Sequence, residues 1–189
     1  MRRSQGITSA LLFALSVAAC GGGEEAPEDA PPAEAPAPTP APAGTADWIV
    51  VDSAANTVTI DIVAGSDGTN NNWNFNGFAN GGFTVTVPEG AAVTINFTNN
   101  DANMGHSIGV ATKPTGPWAA MLDATPVFAG GISSNPTSMT ESTMNGETET
   151  ITFTAATAGE YALVCYVPGH ATAGMWINFN VVPAGAAAE

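Results

Sequence analysis

The strongest constraint on the fold is a two-residue hydrophobic rhythm that recurs through the chain after Asp47. Residues 57–63 read Thr-Val-Thr-Ile-Asp-Ile-Val, 83–87 read Phe-Thr-Val-Thr-Val, and 93–98 read Val-Thr-Ile-Asn-Phe-Thr. The rhythm returns at 150–154, 161–165 and 176–181. β-Branched and aromatic side chains on one face, with Thr and Asn on the other, are the pattern of half-buried strands. Gly, Asn, Pro and Asp separate the runs and supply the turns. No longer stretch keeps a helical period, so the expectation is an all-β domain of about seven to nine short strands, a sandwich or barrel. The segment 113–146 alternates weakly and carries scattered Met and Pro. It is expected to be a long connection with a short helical turn near 118–122.

The N-terminal quarter has a different character. Arg2 and Arg3 precede an apolar run from Ile7 to Ala19 that is too short to span a bilayer, which needs roughly 20 apolar residues. Residues 1–19 therefore read as an export signal. The run ends in Val17-Ala18-Ala19-Cys20, which resembles a bacterial lipobox, and makes Cys20 the candidate lipidation site. The plainer alternative is an ordinary signal with a chance Cys. Residues 20–47 then form a Pro-, Ala- and Glu-rich tether that cannot bury enough apolar surface to offset its ordering entropy. The domain proper is expected at 48–183, with a flexible tail at 184–189. Gly21 after Cys20 resembles outer-membrane lipoproteins, so the expected address is lipid-anchored and exported, facing the periplasm or cell exterior.

Charge excludes one large class of partners. Without Arg2 and Arg3, Lys113 is the only Lys or Arg against 17 acids. Nucleic-acid binding depends on cationic side chains that neutralise phosphates, and this chain has almost none. An acidic surface can steer a basic protein partner, or simply keep the protein soluble.

The chemistry-bearing residues are few. Cys165 is the only Cys in the domain, so it cannot form an internal disulfide. The whole chain has two histidines, His106 and His170. His170 lies five residues after Cys165 and Met175 five further on, with Pro168, Gly169 and Gly174 between them supplying tight backbone. Two imidazoles and a thiolate form a trigonal set, and a weak axial thioether completes a site that suits copper in both oxidation states. Zinc fits less well, because structural zinc sites use four Cys or His ligands. His106, Cys165, His170 and Met175 are therefore the candidate copper ligands.

These residues resemble the cupredoxin family, and more narrowly the sulfocyanins, over about 73–182. The resembling stretches are Trp73-Asn74-Phe75-Asn76-Gly77, residues 83–90, His106-Ser107, Gly159-Glu160-Tyr161 leading to Cys165, and Pro168-Gly169-His170-Ala171 followed by Gly174-Met175-Trp176. The resemblance implies a cupredoxin-like Greek-key β-sandwich, one type 1 copper ion and single-electron transfer without a bound small-molecule substrate. It implies redox partners such as a cytochrome or a terminal haem-copper oxidase. It also implies that the second ligand histidine reaches the surface; Met104, Gly105, Pro168, Gly169, Ala171 and Ala173 are candidates for a small apolar docking patch around it, the plainer alternative being loop sterics alone. Many cupredoxins carry Asn directly after the first ligand His. This chain has Ser107, as rusticyanins do, which implies a relatively high potential.

Three other functions compete. A copper enzyme needs further histidines for a second centre, and none remain. A copper chaperone or store would need an exchangeable Cu(I) site, which the Met-containing 113–146 loop keeps open. A cell-surface binding module would leave the four-ligand set unexplained. Trp118, Met121, Met139 and Met144 are expected to be cover and core.

Overall fold

The computed structural model describes residues 46–184. The expected export signal, the lipidated Cys20, the tether up to Thr45 and residues 185–189 of the tail lie outside the described residues. Among the described residues no helix is long and apolar enough to cross a membrane.

Among the described residues eight strands form, β1 (Ile49–Asp52), β2 (Thr57–Ala64), β3 (Thr84–Pro88), β4 (Ala92–Asn99), β5 (Gly109–Thr112), β6 (Thr148–Thr154), β7 (Gly159–Val164) and β8 (Trp176–Val182). They pair into two four-stranded sheets, ordered β1-β2-β4-β6 and β3-β8-β7-β5. β2 runs parallel to β4 although consecutive strands of one sheet prefer hairpins, because β3 lies in the opposite sheet and the chain crosses the sandwich between them. β5 makes the same excursion between β4 and β6. The result is a Greek-key β-sandwich, in agreement with the expected fold class.

The alternating residues face each other across the sandwich. Ile60, Ile95 and Ile151 lie in register across the first sheet, as Val85, Phe179 and Tyr161 do across the second. Full burial of each large apolar side chain is worth about 1.5–3 kcal/mol. Ile60, Ile62, Ile95, Phe97, Leu163, Ile177 and Phe179 are all wholly buried. This inner face continues past the end of β7, because Cys165 has the same parity as Tyr161 and Leu163 and joins the same core. Cys165 lies one residue beyond the strand that the alternation had extended to include it.

The 113–146 connection has no helical turn at 118–122, contrary to expectation. Its carbonyls are used elsewhere: Ala120 O accepts from Gly169 N at 2.7 Å, and Trp118 O accepts from the Thr172 hydroxyl at 3.3 Å. Trp118 and Leu122 instead lie over a second small apolar cluster of Val164, Tyr166 and Ala171 on the outer face of the second sheet. Met121 and Met139 are exposed (73% and 58%) and so belong to neither cover nor core.

Candidate metal centre

Three chain segments meet at one end of the sandwich. β4 ends at Asn99, which has inward parity but an amide where the core ends. Its Nδ2 donates to the carbonyls of Met104 and Thr143, both at 2.8 Å, and its Oδ1 accepts from Asp101 N at 2.8 Å. Asn99 thereby shapes the turn that delivers His106. A backbone bond from His106 N to Thr143 O at 3.0 Å pins the ligand loop to the far end of the long connection.

The third segment is the loop from Cys165 to Met175. It is closed by Cys165 N donating to Met175 O at 3.1 Å and by Met175 N donating to His170 O at 3.0 Å. Gly169 and Gly174 sit at φ of 85° and 98°, which L side chains rarely adopt. Gly174 has a further reason, since a Cβ there would collide with the Asn80 side chain.

His106, Cys165 and His170 present their ligand atoms within 4.8 Å of one another, all three buried. His106 Nδ1 lies 3.1 Å from His170 Nδ1, and Cys165 Sγ lies 3.4 Å from His170 Nδ1 and 3.9 Å from His106 Nδ1. A trigonal ion bonded to nitrogen at ~2.0 Å and sulfur at ~2.3 Å would have edges of roughly 3.5 to 3.7 Å. The observed triangle brackets these lengths. Met175 is fully buried on the same loop.

Protonation agrees with a ligand role. Burial lowers the pKa of His106 against the opposing pull of Asp101, and burial together with the neighbouring His106 lowers that of His170 to about 4. Both imidazoles are therefore neutral, the form that ligates. Burial raises the Cys165 thiol, partly offset by hydrogen bonds from Ser107 and Val167. A cation at the centre reverses that balance, because a coordinating thiol is deprotonated. The residues present thus fit a soft-to-borderline ion with two nitrogen donors and one sulfur donor.

Two supporting residues could not be read from spacing. Asp101 Oδ2 lies 3.0 Å from His106 Nε2, both side chains buried, which directs the other ring nitrogen, Nδ1, toward the centre. Burial raises the Asp101 pKa, but bonds from Asn103 N–H and His106 outweigh it and the net shift is downward. Ser107, which had been picked out, donates its N–H to Cys165 Sγ at 3.4 Å, with its Oγ 3.6 Å from the sulfur. Tyr166 N donates to that Oγ at 2.9 Å, which leaves the Ser107 O–H free to point at the sulfur. The other is Trp73, stacked on His170 with ring centroids 4.2 Å apart and 22° between planes. His170 itself is only 1% exposed, so it does not reach the surface as the resemblance had implied, and Ala171 of the expected apolar patch is buried too.

The sulfocyanin (SoxE) domain model matches residues 44–187. The chain belongs to the sulfocyanin family. It is therefore a type 1 blue-copper cupredoxin, and its cofactor is one copper ion. Sulfocyanin of Sulfolobus acidocaldarius is 28% identical over 128 residues, 66% of this chain and 63% of that protein. Rusticyanin of Acidithiobacillus ferrooxidans is 38% identical over 95 residues, 49% of this chain and 56% of that protein. The chain spans about half the length of the rusticyanins it matches. Among solved structures, reduced auracyanin from Roseiflexus castenholzii is 27% identical, with 66% of this chain and 97% of that chain covered and a TM-score of 0.44.

Proposed function

We propose that this sulfocyanin-family domain is a single-electron carrier whose copper would be held by His106 Nδ1, Cys165 Sγ and His170 Nδ1, with Met175 as a fourth, weaker ligand. The observation that carries the reading is the buried convergence of two imidazole nitrogens and one thiol sulfur within 4.8 Å. Bound copper supplies a one-electron Cu(II)/Cu(I) couple. The chain supplies a framework that changes little between the two states. Asn99 and the Thr143 carbonyl hold the first loop, while the Met175 backbone closes the second on Cys165 and His170. Asp101 fixes the ring of His106. Ser107 withdraws charge from the Cys165 sulfur through up to two hydrogen bonds, which favours the reduced state and a relatively high potential.

The N-terminal sequence and the family together support a reading of partners and address. A lipid on Cys20 and the tether at 20–47 would hold the domain near an exported membrane face, within reach of a cytochrome or a terminal haem-copper oxidase. The sequence Val17-Ala18-Ala19-Cys20 supports this, as do the prolines and acids that follow it.

Reductive titration of the copper-loaded, full-length chain tests the reading. One electron per copper, taken up reversibly with the metal retained, is the expected result. Release of copper on reduction would contradict electron carriage and point to copper transfer instead.

A further inference from the structure

Because His170 is 1% exposed, a partner cannot touch its ring. What lies over it is Trp73, partly exposed and stacked on the imidazole at 4.2 Å. We propose that Trp73 is the group through which electrons pass between His170 and a redox partner. This proposal rests on the electron-carrier reading above and extends it to the route.

The position of Trp73 is built with unusual care for a covering side chain. It follows a turn, Thr69–Asn72, in which Asn70, Asn71 and Asn72 all have left-handed φ, at 51°, 57° and 69°. Asn is among the few side chains that visit this region routinely, and then mostly as single residues. The turn is tied to the metal loop by one amide: Asn70 Nδ2 lies 2.8 Å from Trp73 O and 2.9 Å from Ala173 O, three residues past His170. On the other side, Asn74 is wholly buried and bonds through its Nδ2 to the carbonyls of Asp67 and Thr69. Trp73 is thus held from both flanks in register with the ligand loop. Simple exclusion of water needs only bulk over the ring. Near-parallel stacking adds overlap of two π systems.

The physics favours such a path. Electron tunnelling falls off exponentially with the gap and less steeply through packed atoms than across an open space. An indole in van der Waals contact with a ligand ring brings a partner electronically closer than direct approach to a buried histidine would allow. During oxidation one electron crosses the His170 and Trp73 rings to a one-electron acceptor on the partner, such as an oxidised haem. No bond forms or breaks, no proton moves, and the indole is a closed-shell bridge before and after. Reduction follows the reverse path. Asn71, Thr172 and Ala173, exposed beside this contact, are uncharged, which suits a neutral contact on the partner.

The electron self-exchange rate of the copper-loaded, full-length chain, measured by NMR line broadening, tests the route. Trp73→Leu is expected to slow exchange several-fold while leaving the visible band and the potential close to those of the parent. Trp73→Phe, which keeps a stacking ring, should recover most of the rate, and it also guards against a Leu variant that folds poorly. A rate in Trp73→Leu equal to or above that of the parent, with the band intact, would overturn the proposal and make Trp73 a cover only. A second readout needs no metal: in the metal-free protein the His170 ring protons should be shifted upfield by the indole and lose that shift in Trp73→Leu. Ring protons indifferent to the substitution would also overturn it. If the parent chain itself binds no copper or carries no reversible electron, the electron-carrier reading is what fails.

Discussion

Burial in the β1-β2-β4-β6 sheet alternates residue by residue, with β2 and β4 each running exposed or half-buried, buried, half-buried, buried along their length. The end of β7 in the other sheet does not alternate: Ala162, Leu163 and Val164 are all buried, and burial continues through Cys165, Tyr166 and Val167. The first sheet has one solvated face. The second has the long connection laid on its outer face, where Trp118, Leu122 and Ile132 cover Val164 and Tyr166. The strand that leads into the metal loop is therefore gripped from both sides. A framework sheet can relax after a substitution with little consequence for the site, whereas the double-faced end of β7 couples packing directly to ligand position.

That contrast can be broken in a graded way. Phe97→Ala removes a fully buried ring from the framework sheet and should destabilise the fold by about 3–5 kcal/mol. Chemical denaturation of the metal-free protein would read this, and copper affinity of the folded fraction should stay near the parent value. Asp101→Ala reverses the pattern. It releases His106 Nε2 and should weaken copper binding by about 10–100-fold, measured by competition with a chelator, at a smaller loss of fold stability. Tyr166→Phe has the smallest effect. Its hydroxyl donates to Val110 O at 3.2 Å, and that carbonyl keeps Val127 N as a second partner at 3.3 Å. Denaturation should register about 0.5–1.5 kcal/mol, with the optical spectrum unchanged because the Tyr166 N–H to Ser107 is kept. If Phe97→Ala altered copper affinity more than Asp101→Ala, the division between framework and site would be wrong.

The same contrast explains what could be read from sequence. The six runs each became a strand: five of them alternate, apolar on the inner face and polar on the other, while 161–165 is apolar on both faces and stood out as a short apolar run. β5 was not anticipated: Gly109 and Val110 are both buried, so no alternation marks it. β1 is only four residues long. The helical turn expected at 118–122 failed because Trp118 and Leu122, spaced as on a helix, serve a flat segment whose carbonyls bind the metal loop. Cys165, His106 and His170 stood out because each is rare in the chain. Asn99 and Asp101 did not, and Trp73 was marked only as the start of a resembling stretch, with no role. Asn and Asp are abundant in the loops, and nothing local distinguishes the one whose side chain the topology carries to His106 or His170. Asp101 lies five residues before His106, a closeness that acquires meaning only once Asn99 has turned the chain.

The central claim is that Cys165 binds copper as a thiolate, with His106 and His170, at the buried end of the sandwich. The visible spectrum of the Cu(II)-loaded chain, compared with that of Cys165→Ser, tests it most directly. The parent is expected to show an intense thiolate-to-copper charge-transfer band that is absent from the variant. A colourless parent, or a band that survives in Cys165→Ser, would contradict the account.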